Sequence, residues 1–155
     1  MSASGKNYVV DDFTTVYSTP VFPVGQIVES EGYEYRFILN GDTDTATAGC
    51  PVAPENFTDK KWKACYDLSD GLDGAVLGIV MADLATGEYG WVMREGVYET
   101  CTVGGAMTVG NNVVAKTTDA TFRAATAGDL VYNCGVTLEA ATQAATGVAI
   151  YIKGI

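Results

Sequence analysis

Short runs of apolar and β-branched residues, many of them alternating with polar ones and broken by glycine-rich turns, dominate this chain. The clearest case is Gly78–Thr100. An apolar run at Gly78–Met81 breaks at Leu84–Gly87 and resumes as Glu88–Met93, which predicts strand, turn and strand. A similar hairpin recurs near the C-terminus, where Gly135–Ala140 leads through Ala141–Gly147 into Val148–Lys153. The echo aligns Gly78 with Gly135, Met81 with Leu138, Gly87 with Gly147 and Trp91 with Tyr151. Two copies do not predict a stacked solenoid, which needs about three.

Upstream, Gln26–Val28, a turn at Glu29–Gly32 and Tyr33–Ile38 form a first hairpin. By the two-residue period of a strand, Tyr33, Tyr35 and Phe37 share the face turned to the core. Residues 39–59 read as a polar loop carrying Gly41, Gly49, Pro51 and Pro54. In Lys60–Leu68 the alternation of Trp62, Ala64, Tyr66 and Leu68 favours a strand over a short helix. Ser69–Gly74 then turns the chain into the Gly78 hairpin; after Thr100 the glycine-rich Val103–Gly110 lies between strands, followed by Asn111–Lys116, a turn at Thr117–Ala120 and Thr121–Ala124, and Ala125–Asp129 and Leu130–Gly135 lead into the last hairpin. This spacing predicts an all-β fold, a single-domain β-barrel or β-sandwich built of hairpins over residues 25–155.

Residues 1–24 differ. Tyr8, Val9, Val10, Phe13, Val16, Tyr17, Val21 and Phe22 lie among Ser, Thr and Asp without a helical period. Pro20 and Pro23 hold the residues before them extended. The segment reads as an extended N-terminal arm, which either lies along its own domain or reaches a neighbouring subunit, because its aromatic side chains need cover. Tyr8, Phe13, Tyr17 and Phe22 are therefore the candidate contact residues of the arm.

Charge and chemistry narrow the function mainly by exclusion. The 155 residues carry a formal charge of −10 and no His. Nucleic acid is not an expected partner, since phosphate binding needs a basic patch. No apolar run approaches a membrane span, and no signal-peptide core follows Met1–Gly5. Without His, Ser–His–Asp and Cys–His catalysis are excluded, and Cys50, Cys65, Cys101 and Cys134 lack zinc-site spacing. These cysteines are expected to be buried thiols. The pairs Glu29/Glu31 and Glu95/Glu99 read as turn or solvent-face charge rather than catalytic carboxylates. Asp42 and Asp44 lack the spacing of a calcium loop, and Gly104-Gly105 with Gly110 precedes no helix that could bind phosphate. No cofactor, metal or catalytic residue is expected. Tyr89 and Trp91, with the Asp42/Asp44 loop, form the alternative site of a carbohydrate- or receptor-binding module, although aromatic residues of a strand more often fill a core.

The order of an extended segment ending in Phe22–Gly25, the Gly32–Phe37 strand, Gly87–Val92 with Gly96, Val103–Gly110 and the closing Gly135–Ala141 hairpin resembles small bacteriophage virion proteins that decorate or cement the capsid. The resemblance implies a non-enzymatic protein, often trimeric, made in the host cytoplasm and carried on the outer surface of the virion head. Its implied partner is the major capsid protein, whose neighbouring subunits it ties together. The resemblance carries over no binding residue position by position.

Overall fold

The computed structural model describes residues 10, 12–55, 62–65, 75–116, 120–127 and 133–155. Tyr8, the Ser69–Gly74 turn, the flanks of the Lys60–Leu68 run and parts of the Thr117–Ala120 and Leu130–Gly135 segments lie outside the described residues. The fold is all-β, and no α-helix occurs among the described residues. Ten strands follow in order: β1 (Ile27–Ser30), β2 (Tyr33–Asn40), β3 (Pro51–Pro54), β4 (Lys63–Cys65), β5 (Gly78–Val80), β6 (Tyr89–Val103), β7 (Asn112–Lys116), β8 (Thr121–Ala124), β9 (Gly135–Thr137) and β10 (Ala145–Lys153).

The first hairpin follows from its turn. Glu31 and Gly32 have φ of 53° and 83°, the two consecutive positive values of a two-residue hairpin turn whose twist matches the strands. β3 departs from the expected loop at 39–59. Its prolines stand at the two ends of the strand, where a missing N–H costs least, and Val52 between them is fully buried. β6 is longer than the expected Glu88–Met93 strand, running for 15 residues. Gly96 does not end it; the backbone there has φ of 145°, and Tyr33 fills the space where a Cβ would stand.

The sheet order is β1-β2-β4-β3-β5-β6-β10-β9-β7-β8, and β6 also pairs with β2 and β8. These extra pairings close two rings that share β6. The first half of β6 joins β5 through Ile79↔Met93 and β2 through Tyr35↔Met93. Its second half joins β10 through Tyr151↔Val97 and β8 through Val103↔Phe122. Ile38, Val52, Val80, Leu84 and Val92 form the core of the first ring. Cys101, Val103, Val113, Phe122 and Ile150 form that of the second, in a cluster continuous with the aromatic outer face of the first.

The rings repeat one another in detail. Pro51↔Ile79 and Val52↔Gly78 in the first correspond to Asn112↔Val136 and Val113↔Gly135 in the second. The bridge Ala46↔Leu84 corresponds to Met107↔Ala141, and both rings contain a parallel pair, β2–β4 and β6–β8. Gly78 and Gly135 are true counterparts: a Cβ on either would stand within 2.4 Å of a facing main-chain oxygen, that of Met93 or Tyr151.

The expected equivalence of Trp91 with Tyr151 is corrected by two residues. Met81 N donates to the Trp91 carbonyl and Leu138 N to the Ala149 carbonyl, so Trp91 matches Ala149 and Tyr151 matches Met93. Gly87 and Gly147 both have positive φ, but Gly147 stands at a register shift inside β10. The matched pair Leu138 and Ala149 is one residue farther apart in the chain than Met81 and Trp91, and β10 takes up the difference at its register shifts, which moves the glycine out of step.

Candidate interaction surfaces

Alternation along β2 and β6 turns Tyr35, Phe37, Trp91 and Met93 to the outside of the first ring, and the arm covers them. Phe13 stacks on Tyr35 at 3.7 Å between ring centroids and meets Trp91 edge-on at 5.4 Å. Phe22 meets Phe37 at 5.3 Å and Trp91 at 5.1 Å. Tyr17 packs edge-on against Phe37, and its main chain bridges Tyr89 through Tyr17 N to Tyr89 O and the reciprocal bond. Val10 adds to the same cover. Phe13, Tyr17 and Phe22 are thus placed against their own core; Tyr8 lies outside the described residues. Trp91 is 1% exposed, so it cannot stack on a ligand at this surface, and Tyr89 lies parallel to Phe37.

The Asp42/Asp44 loop is organised by Asn40, which sequence reasoning passed over. The buried Asn40 amide donates to the carbonyls of Asp44 and Leu84, and its oxygen accepts from Asp42 N. Asp42 Oδ1 accepts from Thr43 N at 2.6 Å, an internal turn bond rather than a ligand position. Among the described residues no group of three or more His, Cys, Asp or Glu could hold a metal ion. Of the candidate carboxylate pairs, Glu95 is engaged by Arg94, Lys153 and the Tyr151 hydroxyl, which donates to it at 2.9 Å. Glu34 and Glu95 face each other across β2 and β6, and Arg94 between them pairs with both.

Arg36, on the inner face of β2, is a second feature that sequence pattern did not reveal. It is 4% exposed, donates through Nη1 to the main-chain oxygen of Ile155 at 2.5 Å, and lies 3.8 Å over the Trp62 ring. Burial, reinforced by nearby Arg94, lowers its pKa to about 10. Arg94 Nε reaches the same Ile155 oxygen at 3.3 Å, so two guanidinium groups tie the last strand to β2 and β6. Cys50, Cys101 and Cys134 are buried.

The second ring presents a different outer surface. Tyr151 on β10 is paired with Val97 on β6 and with Val136 on β9, so the three side chains form a stripe across the strands. Leu138, 43% exposed, continues it, and Val109 lies in the adjoining turn, whose Gly110 N donates to the Thr137 carbonyl. A shallow groove of about 690 Å³ lies elsewhere on this ring, lined by Thr102, Val103, Gly104, Thr121 and Ala144–Thr146.

The sequence profile of phage cement proteins matches residues 40–153, which take in the second ring and every strand of the first except most of β2. This chain belongs to the phage cement protein family. The match begins at the end of β2, so the arm, β1 and most of β2 lie outside the part this cement protein shares with the profile. Among curated proteins, no sequence matches the chain. A crystal structure of the head fiber gp8.5 N base in bacteriophage phi29 is similar in fold, with a TM-score of 0.54 at 15% identity, covering 78% of this cement protein and 98% of that chain. Family and fold together agree with the virion structural protein that the order of elements resembled.

Proposed function

We propose that this protein binds the outer surface of an assembled phage head, without enzymatic activity, and ties neighbouring major capsid subunits together. The observation that carries the reading is the family match across both rings. The physical logic is multivalency: a contact weak in isolation becomes strong when several are linked and repeated over a shell. A trimer, with three copies bound at once, would multiply the contacts further. The surplus negative charge fits an outward-facing protein that keeps particles apart. Phe13, Tyr17 and Phe22 support this role by fixing the arm, which leaves Tyr8 as the arm's candidate contact residue.

The test compares heads assembled with and without the protein. We expect it to co-purify with virions in fixed proportion to the major capsid protein and to raise the temperature at which heads release DNA. Absence from purified virions, or unchanged head stability on adding it back, refutes the reading. The glycan-binding alternative receives no support from Trp91, which is covered by Phe13 and Phe22.

A further inference from the structure

The duplication provides an internal control for what each outer face requires. In the first ring the stripe Tyr35–Met93–Ile79 crosses β2, β6 and β5, and its three residues are 8%, 4% and 0% exposed. The register makes Val97–Tyr151–Val136 its counterpart in the second. The first stripe belongs to the core that the arm covers, with Phe13 stacked on Tyr35. On the second stripe Tyr151 is 36% exposed, and beside it Leu138 is more open than its counterpart, the part-buried Met81. The two stripes share a strand framework and differ in cover.

We propose that the Val97–Val136–Leu138–Tyr151 face is where this protein docks on the head, and that it receives a basic-flanked segment of the major capsid protein with aromatic or branched apolar side chains. The proposal rests on the function proposed above and names the surface responsible. Two observations select the occupant. The counterpart stripe shows what such a framework accepts: a segment of irregular chain that turns at Phe13-Thr14 and lays the Phe13 ring on Tyr35. The borders of the bare stripe are mainly acidic. Glu95 sits beside Tyr151, Glu139 follows Leu138, and Glu99 is exposed farther along β6, while Arg94 and Lys153 are the cations that pair with Glu95 among the described residues. In a chain of charge −10, that rim favours Lys or Arg from a partner over the same face of a second copy. An apolar centre with a polar rim is also the usual anatomy of a protein interface.

The experiment uses shells of the source phage's major capsid protein assembled without this chain, titrated with the full-length protein. Wild type is expected to bind, more weakly as salt rises. Leu138→Asp with Tyr151→Asp is expected to lose at least about tenfold in affinity, the loss typical of removing interface anchors. The uncharged pair Leu138→Ser with Tyr151→Thr is expected to lose several-fold, and it remains informative should the acidic variant misfold. Val21→Asp, at an exposed apolar site away from the stripe, is expected to bind like wild type. Unchanged binding by folded stripe variants overturns the docking surface and leaves the head-binding function standing. Failure of wild type to bind shells overturns both. A wild-type oligomer that the stripe variants dissolve assigns the face to a second copy, and covering of Tyr151 by residues 1–9, detected as its exposure on their removal, assigns it to this chain's own terminus; either result overturns the proposal.

Discussion

Replacing Phe13 with alanine removes the ring that stacks on Tyr35 and meets the edge of Trp91. A fully buried Phe→Ala change costs about 3–5 kcal/mol. Phe13 is only part-buried, so roughly half that loss applies, and the two aromatic contacts place the expected cost at about 2 kcal/mol. For a chain of this size that corresponds to a fall in Tm of about 4–8 °C. Urea unfolding should show a lower midpoint with an unchanged m-value, because the folded state loses a contact rather than its compactness. Trp91 should report the same event by a red-shifted emission as water reaches its ring. Val21→Ala, made at a side chain 53% exposed on the same arm, should change neither reading. A Phe13→Ala loss below about 0.5 kcal/mol with unshifted emission would refute the argument that the arm is part of the core.

Gly135→Ala should cost about 1–3 kcal/mol, because the added methyl would stand 2.1 Å from the Tyr151 main-chain oxygen and the β9–β10 pair must open to admit it; chemical denaturation measures this, and a neutral result would contradict the register. Gly87→Ala meets no neighbouring atom and should carry only the strain of its positive φ of 81°, a smaller loss. Burial pushes the Cys101 and Cys134 thiols from 9.0 up to about 12. Unfolded thiols therefore ionise first as pH rises, and the unfolded chain holds fewer protons, so these groups contribute stability that is complete below pH 9 and is lost towards pH 12. Replacing both by valine should flatten that part of the pH–stability curve, and in a Cys65→Ser background the native thiols should resist a thiol reagent until the protein unfolds; an unchanged curve or rapid labelling would count against their burial.

How far the sequence revealed this structure depends on whether a feature was local. Tyr33–Ile38 announced a strand because its alternation and the Glu31-Gly32 turn are written within a few residues. Within the expected Lys60–Leu68 strand, β4 at Lys63–Cys65 was legible for the same reason. β3 was hidden because Pro51 and Pro54 look like breakers until β4 and β5 are alongside, and that neighbourhood is set by residues far away in the chain. The length of β6 was hidden by Gly96, whose meaning depends on Tyr33 filling the gap above it. Sequence echo found the second hairpin but not its register, because the register shifts inside β10 displaced Gly147 and made Tyr151 look like Trp91. The candidate contact residues Phe13, Tyr17 and Phe22 were recognised as needing cover, but pattern alone could not say whose. Arg36 and Asn40 carried no signal at all: each becomes notable only when burial and its bonds to Ile155, Asp44 and Leu84 are known.

Sharing β6 between the rings has a mechanical consequence. A strand that closes two barrels cannot slip in one without disturbing the other, since a one-residue shift would reverse both inward sets, Val92 in one half and Cys101 and Val103 in the other. The arm then stiffens the first half from outside through Phe13 and Phe22 on Trp91, while Arg36 and Arg94 hold the end of β10 against the same framework. The second half shares these constraints through the same strand. That division leaves one ring's outer face committed to holding the protein together and the other's open to contact. A protein assembled from two equally covered rings would be no less foldable by these criteria, but it would have lost the apolar stripe at Val97, Val136 and Tyr151. The asymmetry between two otherwise matched copies is therefore the feature on which the proposed attachment rests, and it arises from a segment outside the duplicated unit.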